Sequence, residues 1–163
     1  EMTSSLVGSE MCIRDSSTET AISRLKMALL CTVTKAGKES EIGNICLKID
    51  WLYQDLADEL DENSSDYESK KENYLAEAHN FAMNAYEHLS KARMEEEFPI
   101  AGMNETTLDY LLSYLGYVKG EYQTAMQYLS GVVSTRGISP RLKDKCLELK
   151  ELLNQKLHAS ADQ

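Results

Sequence analysis

Apolar side chains recur at helical spacing along most of the chain, and few helix-breaking residues interrupt them. The last predicted helix gives the plainest example, with a stripe formed by Leu142, Cys146, Leu149, Leu153 and Leu157. Steps of three and four residues place side chains on one face of an α-helix. The 163 residues include two prolines and eight glycines, few for a fold of many short strands. The sequence therefore predicts an all-α chain of five to six helices.

Breaks between the apolar stripes predict where the helices lie. We expect helices over about 18–35, 40–60, 66–92, 105–119, 121–134 and 140–158. Asn104 is a typical N-cap, and Ser139 followed by Pro140 fits an N-cap and a first helical position. Residues 18–158 are thus predicted to form one helical domain, followed by a frayed tail at 159–163.

Two side chains outside the main stripes are also expected to be buried. Trp51 lies with Leu47 on a second apolar side of the second helix, and a helix that is apolar on two sides usually packs on both. Phe98, in the acidic loop 95–103, is expected to reach the core. The alternative for that loop is a site for a cation or a basic partner.

The charge distribution argues against two classes of partner. The net charge is −10, and residues 39–109 hold 18 acidic against 5 basic side chains. An acidic surface repels phosphate groups, so we expect neither nucleic acid nor an anionic membrane as a partner. No apolar run is long enough to span a bilayer.

Residues that carry catalytic or metal chemistry are sparse. Cys12, Cys31, Cys46 and Cys146 form no C-x-x-C pair, which favours free thiols in a reducing cytoplasm. His79 and His88 lie nine residues apart, so they point to opposite sides of one helix and cannot share a metal ion. No phosphate-binding loop or nucleophile motif occurs. We therefore expect no enzymatic activity and no cofactor held by these residues.

Part of the chain resembles a tetratricopeptide repeat. Gly120 and Tyr122 match the turn of that pattern, and Ala125 matches the small residue where the two helices cross. The match is incomplete, because Asp109 stands at the usual aromatic position and Ser113 at the usual Gly or Ala position. The resemblance implies antiparallel helix pairs, in a short tetratricopeptide-like solenoid or an irregular helical bundle.

A longer stretch, from about residue 21 to residue 153, is similar to the C-terminal half of a bacterial family of uncharacterised proteins. The matching segments include I-D-W-L-Y, E-E-F-P-I-A-G-M-N-E-T-T-L-D-Y-L-L and G-E-Y-Q-T-A-M-Q-Y-L-S. Members of that family are similar in carrying a cysteine-pair zinc module before the helices. This chain has no such pair, so the resemblance implies zinc only in a preceding module.

Residues 1–17 differ from the remainder. Their core, S-L-V-G-S-E-M-C-I-R-D-S, resembles translated sequencing-adapter read-through. The alternative is a natural disordered terminus. In either case these residues, including Cys12, carry no functional prediction.

Three tyrosines form the candidate binding site. Tyr110, Tyr114 and Tyr117 share one side of the fourth predicted helix, opposite its leucines. Tyrosine offers a flat apolar ring and a hydroxyl with little rotamer entropy to lose. We expect this stripe to contact a peptide or protein partner, unless it packs against the preceding helix pair.

These features predict a non-catalytic protein–protein interaction module. The alternative is a structural or homo-oligomerisation domain in which the tyrosine stripe is buried in a homodimer. An enzyme without a recognisable motif is the remote alternative.

Overall fold

The computed structural model describes the backbone of residues 2–162 and the side chains of residues 17–162. The described residues form no β-strand and contain six helices: α1 Met2–Thr34, α2 Glu39–Asp58, α3 Tyr67–Glu95, α4 Glu105–Lys119, α5 Tyr122–Ser134 and α6 Pro140–Ala161. The all-α prediction is confirmed, and a helical bundle or short solenoid fits this order of helices.

The first helix differs most from its predicted limits. Helix α1 begins at Met2, not near Thr18. The structure describes no side chain in residues 1–16, which include Cys12. The predicted separate segment 1–17 therefore lies almost wholly outside the described side chains. At the other end, α6 continues to Ala161, within the predicted tail. The assignments of segment 1–17, domain 18–158 and tail 159–163 stay predictions.

Both predicted N-caps are confirmed. The side-chain oxygen of Asn104 accepts a hydrogen bond from the backbone N–H of Thr107 at 2.9 Å. The hydroxyl oxygen of Ser139 accepts one from the N–H of Leu142 at 3.2 Å, and Pro140 is the first residue of α6. Each cap satisfies an amide that has no partner within its helix, so these residues fix where α4 and α6 begin.

The chain divides into two compact units, Glu1–Ala85 and Tyr86–Gln163, and the boundary falls within α3. In the first unit α1 packs against α2. Its core cluster consists of Ile22, Ile49, Tyr53, Leu56 and Ala78. The Lys26 ammonium donates a hydrogen bond to the Tyr53 hydroxyl at 2.6 Å and lies 5.1 Å from the centre of that ring. An aromatic ring and a hydroxyl thus hold the head of this lysine in place.

The predicted packing of Trp51 is wrong. Leu47 is buried, but the Trp51 side chain is 52% exposed. The buried stripe of α2 runs through Ile49 and Tyr53. Trp51 and Leu47 share the other side of α2, which is therefore covered at Leu47 and open at Trp51.

The second unit contains a core cluster formed by α5 and α6. The core cluster consists of Ala125, Leu129, Val132, Cys146, Leu149 and Leu153. Where α4 crosses α5, the Ser113 hydroxyl donates to the Ala125 carbonyl oxygen at 2.7 Å. A Cβ atom at Gly116 would lie 3.3 Å from the Cβ of Ala125. Small residues on both helices therefore allow a close approach.

The loop between α3 and α4 is fixed by a different residue from the one predicted. Ile100 is fully buried and forms a pair of backbone hydrogen bonds with Met103. Phe98 is 37% exposed and lies beside Arg93, with 5.3 Å between the guanidinium carbon and the ring centre. The prediction that Phe98 reaches the core is wrong, because its ring packs against this guanidinium instead.

Two glycines, one at the α4–α5 turn and one inside α5, allow the assigned backbone conformations to be tested by substitution. Gly120 has φ +93°, whereas Gly131 lies inside α5, and a Cβ at either would meet no atom within 4 Å. We expect Gly120→Ala to destabilise the fold by roughly 1–2 kcal/mol, because an L side chain disfavours the left-handed conformation. We expect Gly131→Ala to stabilise it by about 0.5–1 kcal/mol through helix propensity.

Urea unfolding followed by circular dichroism measures both free energies. The two alanine variants serve as controls for each other, since both add the same methyl group. Equal effects of the two substitutions would contradict the assigned backbone conformations.

Candidate functional site

The three predicted tyrosines lie on one side of α4, and we call them the tyrosine face. Tyr110 and Tyr117 are partly buried, whereas the Tyr114 side chain is 46% exposed. The other side of the helix enters the core through Leu108, Leu112 and Leu115. The fold therefore presents one tyrosine to solvent between two that are partly covered.

The partly buried tyrosines are held by the second unit. Tyr110 and Tyr117 pack against the cluster of α5 and α6 residues that forms its core. The ring centres of Tyr117 and Tyr122 are 6.0 Å apart, with an angle of 50° between the rings. Burial raises the pKa of Tyr110 above its ordinary value. These contacts restrict the rings on either side of Tyr114.

A polar network closes the turn between α4 and α5. The Tyr86 hydroxyl donates to a carboxylate oxygen of Glu121 at 2.7 Å, and Lys119 pairs with Glu121 at 3.0 Å. Hydrogen bonds from Tyr86 and then from Lys119 lower the pKa of Glu121. Burial, followed by the bond to Glu121, raises the pKa of Tyr86. This network ties the turn to the segment of α3 that belongs to the second unit.

A second polar network lines a cleft in the same unit. Arg93 binds Asp109 through Nε at 2.8 Å and through Nη2 at 3.3 Å, and Nη2 also pairs with Glu105 at 2.9 Å. Asp109 is buried, and its bond to Arg93 is the main cause that raises the arginine pKa. The cleft has a volume of about 530 Å³ and is otherwise lined mainly by uncharged polar side chains such as Thr124 and Gln127.

The described residues contain no group of three or more His, Cys, Asp or Glu side chains placed to hold a metal ion. Cys46 and Cys146 are buried free thiols, and burial raises the pKa of Cys46 to about 11. Cys31 is exposed and also free. Within the described residues, no helix combines the length and the apolar character that crossing a membrane requires.

Sequence reasoning missed two long-range polar pairs within the second unit. Tyr86 and Glu121 are 35 residues apart, and Arg93 and Asp109 are 16 apart. Such separations leave no periodic signal. The one available signal was the departure at Asp109, where the repeat pattern expects an aromatic residue. The structure explains that departure, because a carboxylate at this position binds Arg93.

Buried Asp50, in the first unit, was also missed. Its carboxylate accepts a hydrogen bond from the Gln54 side chain at 2.8 Å. Burial raises its pKa, and the bond from Gln54 and the nearby charge of His79 oppose that rise. The spacing of Asp50 and Gln54 by four residues fits a side-chain bond within a helix, but the approach of His79 depends on the tertiary fold.

Together these features define an all-α helical domain that exposes an aromatic side chain within an ordered face. The sequence model of the family described as "Uncharacterized protein conserved in bacteria (DUF2225)" matches residues 5–153. The chain belongs to this bacterial family. No curated protein and no solved structure matches it.

The bond between Tyr86 and Glu121 predicts a pH-dependent contribution to stability. We expect Tyr86→Phe to cost about 1 kcal/mol at neutral pH, because it removes a hydrogen bond to a carboxylate that is partly screened by water. The pKa of Glu121 is lowered from its ordinary value of 4.5. The contribution is therefore present above that value and is lost as the pH falls through the lower folded-state pKa.

Urea unfolding of wild type and Tyr86→Phe at neutral and acidic pH measures this difference. Glu121→Gln is the control, because it retains an acceptor oxygen but cannot titrate. If Tyr86→Phe lowered the free energy of unfolding by the same amount at both pH values, the carboxylate charge would contribute nothing to the stability that this bond provides.

Proposed function

We propose that this chain is a non-catalytic protein–protein interaction module, built of tetratricopeptide-like helix pairs, that binds a peptide or protein on its tyrosine face. The observation that carries the proposal is the placement of Tyr114. Its ring is half exposed, while Tyr110 and Tyr117 on either side pack against the core of the second unit. A partner would meet aromatic surface that is already ordered.

The α4–α5 pair supports the tetratricopeptide-like part of the proposal. Gly120 ends α4 in the left-handed conformation, and its N–H bonds to the carbonyl oxygens of Gly116 and Tyr117. Ala125 is fully buried at the crossing and accepts the bond from Ser113. The residues that match the repeat pattern thus have the turn and packing roles that a helix pair requires.

The chemistry of the tyrosine face favours a protein partner. Aromatic rings contribute large contact area, and the hydroxyl can bond to a peptide backbone. Because the flanking rings are restricted in the free protein, less side-chain entropy is lost on binding. The net charge of −10 supports a partner other than nucleic acid or an anionic membrane.

Several titratable groups with altered pKa values have structural partners, which supports a non-catalytic role. Arg93 is engaged by Asp109, Glu121 by Tyr86, and Asp50 by Gln54. We propose that this chain holds no cofactor of its own. We place the module in the bacterial cytoplasm, in keeping with the free thiols of Cys31, Cys46 and Cys146.

A single substitution tests the proposed binding face. Peptides selected from a random display library against the full chain would be measured by fluorescence anisotropy. We expect Tyr114→Ala to lower the affinity for the selected peptides about tenfold, as truncation of an aromatic hot spot commonly does. The free energy of unfolding should change by no more than about 0.5 kcal/mol, because the side chain is half exposed.

Trp51→Ala is the matched control, because Trp51 is an exposed aromatic residue of similar accessibility in the first unit. Equal loss of peptide binding in the two variants would refute a site at Tyr114. A light-scattering concentration series decides the alternative. If the wild-type chain forms a dimer that Tyr114→Ala dissociates, the tyrosine face serves homo-oligomerisation instead.

A further inference from the structure

A groove of about 200 Å³ lies between α5 and α6, and no residue of the tyrosine face lines it. It is lined by Met126, Leu129, Ser130, Val133, Ser134 and Lys150, and we call it the α5–α6 groove. Leu129 is buried, and the Val133 side chain is 47% exposed. The groove therefore combines a buried apolar base with an exposed apolar wall.

The two serines do not require a polar partner. The Ser130 hydroxyl donates to the Met126 carbonyl oxygen at 2.8 Å, and the Ser134 hydroxyl donates to the Gly131 carbonyl oxygen at 2.9 Å. Both donors are satisfied within α5. A docked apolar side chain would cover these serines without leaving a hydroxyl proton unpaired.

The charge at the groove is that of a single lysine. Helix α5 contains no Asp, Glu, Lys or Arg, so Lys150 is the only charged residue in the lining. Lys150 makes no ion pair with any residue in the described part of the chain. Lys143 lies two helical turns earlier on the same side of α6, and Leu147, which is exposed, lies between them. The surface thus joins apolar area to an unpaired positive charge.

We propose that the α5–α6 groove docks an amphipathic helix of a partner protein. Its apolar stripe would cover Leu129 and Val133, and an acidic side chain beside that stripe would pair with Lys150. A groove between two helices suits a third helix, because ridges of side chains fit between the rows of their neighbours. The charge complementarity at Lys150 selects an acidic helix over a basic one.

The charge in the lining favours an acidic occupant. Lys150 makes no ion pair in the described part of the chain, so an acidic side chain on a partner helix would supply the missing counter-charge. A second copy of the chain is the competing occupant, and the oligomeric state decides between the two. This inference is independent of binding at the tyrosine face.

The probe is a fluorescein-labelled synthetic helix with leucines along one stripe and glutamates beside it, titrated against the full chain. We expect Lys150→Glu to weaken binding of this helix about tenfold and to reduce the dependence of its affinity on salt. Val133→Asp should weaken it similarly without unfolding the protein, because Val133 is half exposed. A peptide with lysines in place of glutamates should prefer the Lys150→Glu variant.

Lys156→Glu is the matched control, since Lys156 is an exposed lysine of α6 that does not line the groove. Tyr114→Ala should leave binding of the glutamate helix unchanged. The two proposed binding sites can therefore be tested separately. Equal affinity for the Lys150→Glu and Lys156→Glu variants would overturn the proposal. Self-association of the wild-type chain that Lys150→Glu abolishes would overturn it in favour of a second copy.

Discussion

The close crossing of α4 and α5 is the contact on which the second unit depends. Ala125 is fully buried there, Ser113 bonds to its carbonyl oxygen, and Gly116 leaves room for its methyl group. A larger side chain at any of the three would separate the helices, because a packed interior accommodates added volume only by straining its neighbours. This approach positions α4, and hence its tyrosines, against the core built by α5 and α6.

Helix content and most helix ends were predictable from local information. Apolar stripes and the caps at Asn104 and Ser139 depend on neighbours within a few residues, and the structure confirms them. The start of α1 was not predictable, because residues 1–17 show no helical apolar stripe. Trp51 and Phe98 were misplaced for another reason. Hydrophobicity alone does not determine whether a large ring is covered by the core or lies on the surface.

The candidate sites depend more strongly on tertiary structure. The sequence placed Tyr110, Tyr114 and Tyr117 on one helical side, but it could not distinguish the exposed ring from the packed ones. The ion pair of Arg93 with Asp109 and the bond of Tyr86 to Glu121 join residues remote in sequence. The α5–α6 groove was missed because it is made by two helices together, although the absence of charge in α5 was visible in the sequence.

The tyrosine face and the α5–α6 groove differ in chemistry, yet both are supported by the same core cluster. If the α4–α5 crossing fixes that core, enlarging its central residue must destabilise the second unit. The direct measurement is the free energy of unfolding of Ala125→Leu in urea. We expect a loss of about 1–3 kcal/mol, typical of overpacking in a close-packed interior. A variant as stable as the wild type would show that the two helices are not held together at Ala125.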